Sequence, residues 1–117
     1  MYATTYAKAK DVADAVSQLK GADEGKLLAG GQTLIPTLKQ RLASSDCLID
    51  LSDAGLSGIS DEGGSIRIGA MTRHVEVETS ELVKKAIPAL ATLASGIGDR
   101  QVRNCGTIGG SVANNDP

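Results

Sequence analysis

Lys26-Leu27-Leu28-Ala29-Gly30-Gly31-Gln32-Thr33-Leu34-Ile35 changes character in its middle. The first part, Lys26 to Ala29, has the length and apolarity of a short buried strand. Past the glycines, Leu34, Ile35, Leu38 and Leu42 recur along one face of a helix. Thr33 stands where a hydroxyl caps such a helix, and Pro36 fits its first turn, where a missing N–H costs nothing. A strand that turns on glycines into a helix is the building step of α/β proteins, and the flanking residues repeat it.

Upstream, Val12, Ala15, Val16 and Leu19 keep helical spacing behind Asp11, a good N-cap, and Gly21 follows Lys20 as a stop. Downstream, Cys47-Leu48-Ile49-Asp50-Leu51 is an apolar run of strand length. The order to this point is helix, strand, helix, strand. Ile66, Ile68 and Ala70 then alternate with Ser65, Arg67 and Gly69, and Asp61-Glu62-Gly63-Gly64 separates them from Leu56 to Ile59, which predicts a hairpin. From Ser80 helical character returns: Ile87, Leu90, Ala91, Ala94 and Ile97 stripe one helix that has Pro88 near its start and stops at Gly96-Ile97-Gly98. No repeat, low-complexity tract or linker interrupts the chain. It reads as a single α/β unit over 1–117.

Composition narrows the function. The 117 residues are one domain's worth, at the small end for an enzyme carrying both cofactor and substrate sites, so a module is expected. Twelve basic residues against fourteen acidic ones leave a net charge of −2 without runs of like charge, so nucleic acid and anionic membranes lack their electrostatic footprint. Tyr2 and Tyr6 are the only aromatic residues; base-stacking platforms are excluded, and the core falls to Leu, Ile, Val and Ala. Neither Cys47 nor Cys105 belongs to a C-x-x-C pair, which argues against zinc, an iron–sulfur cluster or a redox dithiol made by this chain alone. Two buried free thiols are favoured over a disulfide between them, and the disulfide stays open. The first residues lack a basic region followed by an apolar stretch, and no segment reaches the length of a membrane span, so the cytoplasm is the expected location.

A second glycine-rich stretch, Gly106-Thr107-Ile108-Gly109-Gly110-Ser111, lies near the carboxyl end. Glycine lets a backbone approach a ligand closely and take positive φ, so that successive amides converge on phosphate oxygens, and Thr33, Thr107 and Ser111 add hydroxyls. The two loops read as halves of an anion cradle suited to a dinucleotide pyrophosphate, whereas a single glycine turn is more often simple chain reversal. Commoner motifs fail. Gly30-Gly31-Gln32-Thr33 has neither the lysine nor the glycine spacing of a P-loop, and in Gly96-Ile97-Gly98-Asp99-Arg100-Gln101 the last glycine of a Rossmann fingerprint is replaced by Gln101. With no lysine in either loop, amide dipoles carry the charge of the guest; Arg100 and Arg103 are read as solvent-facing or structural rather than as ligands.

The string from Asp99 through Arg103-Asn104-Cys105-Gly106-Thr107-Ile108-Gly109-Gly110-Ser111 to Ala113 and Asp116-Pro117 resembles the second FAD loop of the medium, flavin-binding subunit of molybdenum hydroxylases, the family of aerobic carbon monoxide dehydrogenase and xanthine dehydrogenase. Ala29-Gly30-Gly31-Gln32-Thr33-Leu34 is similar to that family's first FAD loop, and Ile68-Gly69-Ala70-Met71-Thr72 with His74 and Glu76 resembles the segment between them. The resemblance implies an α/β (α+β) fold, the amino-terminal portion of a vanillyl-alcohol oxidase or p-cresol methylhydroxylase type FAD-binding domain, with a small α/β subdomain over about 1–55 and the start of a second over about 56–117. FAD would be held by Ala29, Gly30, Gly31, Gln32, Thr33 and Leu34, and by Thr107, Ile108, Gly109, Gly110 and Ser111, with Asp116 as support. It also implies partners: a molybdopterin-binding large subunit that oxidises the substrate and an iron–sulfur small subunit that relays electrons to the flavin. No residue of this chain is then catalytic or a metal ligand, since the isoalloxazine does the chemistry.

Family members continue past the Asp-Pro pair, so the FAD site is expected to be incomplete here, with weak or absent binding by this piece and self-association through exposed strand edges. Two other functions remain open: an assembly module that does not retain FAD, and a cradle for another nucleotide diphosphate. The remaining polar residues take bland readings. His74 with Glu76 and Glu78 is a solvated helix start, Asp50 a turn or cap, and Ser44-Ser45-Asp46 a cap or turn. Asn114-Asn115-Asp116 is either loop support or a frayed end.

Overall fold

The apolar tetrapeptide Cys47–Asp50 forms the central strand of a three-stranded parallel sheet in the computed structural model, which describes residues 1–116. Strand β1 (Thr5–Lys8) pairs with one side of it and β2 (Gly25–Leu28) with the other, so that Cys47–Asp50, β3, has Tyr6 and Lys26 both opposite Leu48. Helix α1 (Val12–Gly21) follows β1, and α2 (Leu34–Lys39) follows β2. Asp11 caps α1 by accepting the Asp14 N–H at 2.7 Å. Ile49 is fully buried against Ala9 and Ala15, with Leu19, Cys47 and Leu51 around them. Leu48, one residue away and therefore on the other face of the sheet, is buried as well. Only a strand paired on both sides and covered on both faces needs an unbroken apolar run, which is why β3 stands out in the sequence.

Three details of this unit depart from the sequence reading. Strand β1 was not predicted, because an edge strand that is mostly exposed carries no apolar pattern. Strand β2 is an edge strand with Leu27 45% exposed, not a buried one. Helix α2 stops before Leu42: Arg41 adopts a left-handed φ of 57°, and the amides of Arg41 and Leu42 donate back to Leu38 O and Thr37 O.

The chain divides into two compact units, Met1–Leu56 and Ser57–Pro117. The second begins with the expected hairpin, β4 (Ile59–Asp61) antiparallel to β5 (Ile66–Ile68), closed by the Glu62 N–H donating to Ser65 O over Gly63 and Gly64. Helices α3 (His74–Thr79), α4 (Glu81–Ala86) and α5 (Pro88–Ser95) follow. The striped helix expected with Pro88 near its start and its stop at Gly96 is α5; the helical character from Ser80 belongs to α4, separated from it at Ile87, whose φ and ψ of −140° and 71° reflect the crowding a proline imposes on the residue before it. Val77, Val83, Ala91 and Ala94 form the core, with Ile59, Ile68 and Leu90 packed against it. Helices α6 (Arg100–Cys105) and α7 (Ile108–Ala113) occupy the stretch whose glycines had predicted a loop. The result is a mixed α/β fold. Cys47 is half-buried and Cys105 exposed, both free, so the expectation of two buried thiols holds for neither.

Candidate functional site

Ala29, Gly30, Gly31, Gln32 and Thr33 form the turn between β2 and α2 in the first unit, and Leu34 opens α2. Gly31 has a φ of +75°, the left-handed conformation in which a side chain is strained, and a Cβ there would also meet Ile35 Cγ1 at 2.9 Å. Helical bonding begins only with the Ile35 N–H donating to Gly31 O and the Thr37 N–H to Thr33 O. The N–H groups of Gly30, Gly31, Gln32, Thr33 and Leu34 donate to no acceptor among the described residues. Thr33 occupies the N-cap position, but its hydroxyl makes no capping bond, contrary to the capping role predicted for it. Such a run of uncommitted donors on a glycine turn has the chemistry to receive anionic oxygens.

Thr107, Ile108, Gly109, Gly110 and Ser111, in the second unit, spend their donors differently. Thr107 is buried and caps α7, its Oγ1 accepting the Gly110 N–H at 3.1 Å, while its carbonyl accepts the Ser111 N–H. The Ile108 N–H donates to Thr72 O at 3.0 Å and the Gly109 N–H to Ala70 O at 2.8 Å. Arg73 and Thr107 lie opposite each other in an isolated antiparallel bridge. Gly109 is packed so closely that a Cβ would meet Ala70 O at 2.6 Å. The expectation that the amides of this loop point at a phosphate is therefore corrected for four of them: the N–H groups of Ile108 and Gly109 stitch α7 to Thr72 and Ala70, and those of Gly110 and Ser111 close its first turn on Thr107. Thr107 alone keeps an N–H with no acceptor among the described residues.

The surrounding polar residues complete the picture. Arg103 is structural: its Nε donates to Glu78 at 3.0 Å and its Nη1 to the carbonyls of Ile97 and Gly98. Arg100 is exposed at the start of α6. Glu76 folds back to accept the Arg73 N–H. Asp116 donates its backbone N–H to Ser111 O, and its carboxylate accepts from the Asn114 amide. Pro117, the last residue of the matched string, lies outside the described residues. His74 is no solvated helix start: it is 4% exposed, with Nε2 3.2 Å from Ser111 Oγ. Burial pushes its pKa below the ordinary histidine value, and the negative charge of Asp116 partly opposes this. A signal for it was present in the spacing, because His74 and the fully buried Val77 stand three residues apart on one helix face.

In the first unit, the Tyr6 hydroxyl donates to the Asp50 carboxylate, which also accepts the Ser52 N–H, as a turn residue should. Asp46 accepts the amides of Asp23 and Glu24. No helix among the described residues is long and apolar enough to cross a membrane.

The chain matches the model of the FAD binding domain in molybdopterin dehydrogenase over residues 2–117. It is 39% identical to the glyceraldehyde dehydrogenase medium chain of Sulfolobus acidocaldarius, over 97% of this chain and 41% of that one. It is 43% identical to the carbon monoxide dehydrogenase medium chain of Afipia carboxidovorans, over 96% of this chain and 40% of that one. Its fold superimposes with a TM-score of 0.93 and 42% identity on a chain of the carbon monoxide dehydrogenase of Hydrogenophaga pseudoflava, covering 95% of this chain and 39% of that chain. The chain thus spans about two fifths of the length of the curated relatives it matches. Family model, relatives and fold agree: the chain belongs to the FAD-binding domain family of the molybdopterin dehydrogenases.

Proposed function

We propose that this chain is the FAD-holding part of the flavoprotein subunit of a molybdenum hydroxylase, made of a small α/β subdomain and the start of a second. The observation that carries the reading is the run of uncommitted amides from Gly30 to Leu34, on a turn whose Gly31 backbone strains any side chain. These donors, with the Gln32 side chain and the Thr33 hydroxyl, would hold the diphosphate of FAD. Thr107 to Ser111, with Asp116 as support, would line the cofactor as a rigid wall, since most of their N–H groups already serve the fold. When bound, FAD supplies the redox chemistry by which such a subunit takes electrons from an iron–sulfur small subunit and delivers them to an external acceptor, beside a molybdopterin-binding large subunit. The family description and the medium-chain names of the relatives support these partners. The outer edges of β1 and β2, unpaired among the described residues, are the proposed contacts for self-association.

The engaged donors of the second loop favour one alternative, a non-catalytic assembly module that does not retain FAD. Calorimetric titration separates the two. Saturable FAD binding with a Kd above about 1 µM is expected, competed by ADP, and weakened about tenfold or more by Gly31→Val. Failure to saturate at about 1 mM FAD, or indifference to Gly31→Val, would overturn the reading in favour of the module.

A further inference from the structure

One histidine joins α3 to the second glycine loop at several points. The His74 backbone N–H donates to Gly106 O at 3.0 Å, and its ring lies so close to the loop that a Cβ on residue 106 would meet Cδ2 at 3.0 Å. Nε2 is 3.2 Å from Ser111 Oγ, at the far end of the same loop. His74 as a whole is 4% exposed, so little water competes for its groups. We propose that His74 is a positioning residue: a neutral imidazole that fixes the conformation of Gly106–Ser111 and the direction of the Ser111 hydroxyl.

The residue types fit that task. A neutral imidazole nitrogen either donates to or accepts from a hydroxyl, and the serine rotor adjusts to suit. An apolar side chain of the same volume would fill the space beneath Gly106 but leave Ser111 without this partner. Glycine at 106 lets the flat ring lie against the backbone. Asp116 is the charge felt at the ring, while Glu78, further along α3, is paired with Arg103. The consequence for FAD rests on the reading proposed above; the hold on the loop does not.

Residue-resolved amide hydrogen exchange on the 117-residue chain tests it, with FAD titration in parallel. His74→Ala is expected to speed exchange of the Gly109, Gly110 and Ser111 amides about tenfold while leaving Val83 and Ala91 within about twofold. His74→Gln, whose amide nitrogen reaches the place of Nε2, should restore protection. The FAD Kd should rise about tenfold in the alanine variant and recover in the glutamine variant. Loop exchange unchanged in His74→Ala, or faster to the same extent throughout the unit, would overturn the proposal. Should His74→Ala not fold, Ser111→Ala decides: faster exchange confined to the loop supports the role, and no change refutes it. A wild-type chain that does not bind FAD would refute the functional reading and leave the exchange result to judge His74.

Discussion

The two glycine-rich stretches look alike in sequence and are put to opposite uses. In Ala29–Leu34 the glycines leave backbone donors unspent, and the left-handed turn at Gly31 presents them consecutively. In Thr107–Ser111 the glycines permit close packing: Gly109 rests against Ala70, and the amides bond to Thr72, Ala70 and Thr107. One stretch leaves hydrogen-bonding capacity unspent among the described residues, and the other consumes it in fixing its own place. Even the threonines divide this way, since Thr33 leaves its cap position unbonded whereas Thr107 is buried and capping.

The contrast is most exposed at the glycines. Gly109→Ala forces a Cβ against backbone at 2.6 Å and should destabilise the second unit by about 2–3 kcal/mol in urea denaturation. Gly31→Ala, strained mainly by its φ, should cost the first unit about 1–2 kcal/mol. If Gly31→Ala proves the costlier of the two, the assignment of close packing to the second loop is wrong. A smaller effect separates the threonines. Thr107→Ala removes a buried cap and should cost about 1–2 kcal/mol, whereas Thr33→Ala should stay within about 0.5 kcal/mol. Equal losses at both positions would erase the distinction.

The smallest effect is a pH dependence. Because the pKa of His74 is lowered in the folded chain, the unfolded chain takes up a proton near pH 6.5 that the folded chain refuses until lower pH. Stability of the second unit should therefore be full above that value and fall as pH drops through it, by no more than about 1.4 kcal/mol per pH unit for one proton. His74→Gln should abolish this part of the slope. An unchanged slope in that variant would assign the titration to other groups.

Much of the architecture was legible because it depends on local rules. The cap at Asp11, the hairpin over Asp61–Ser65 and the doubly buried strand at Cys47–Asp50 each carry their cause within a few residues. The failures share a different origin. Strand β1 is defined by pairing with a strand some forty positions away, and α7 forms through glycines because Ala70 and Thr72 hold its first turn. His74 read as solvated because Glu76 and Glu78 place it in a polar stretch, while the segment that covers it comes from residues 106–111.

From the chain alone came the α/β class, the two glycine stretches and the family resemblance, since periodicity, turn chemistry and motif order are properties of consecutive residues. The tertiary structure decided which amides remain free, because whether an N–H is spent depends on a carbonyl distant in sequence. It likewise decided that His74 is buried, because burial is conferred by whatever folds on top.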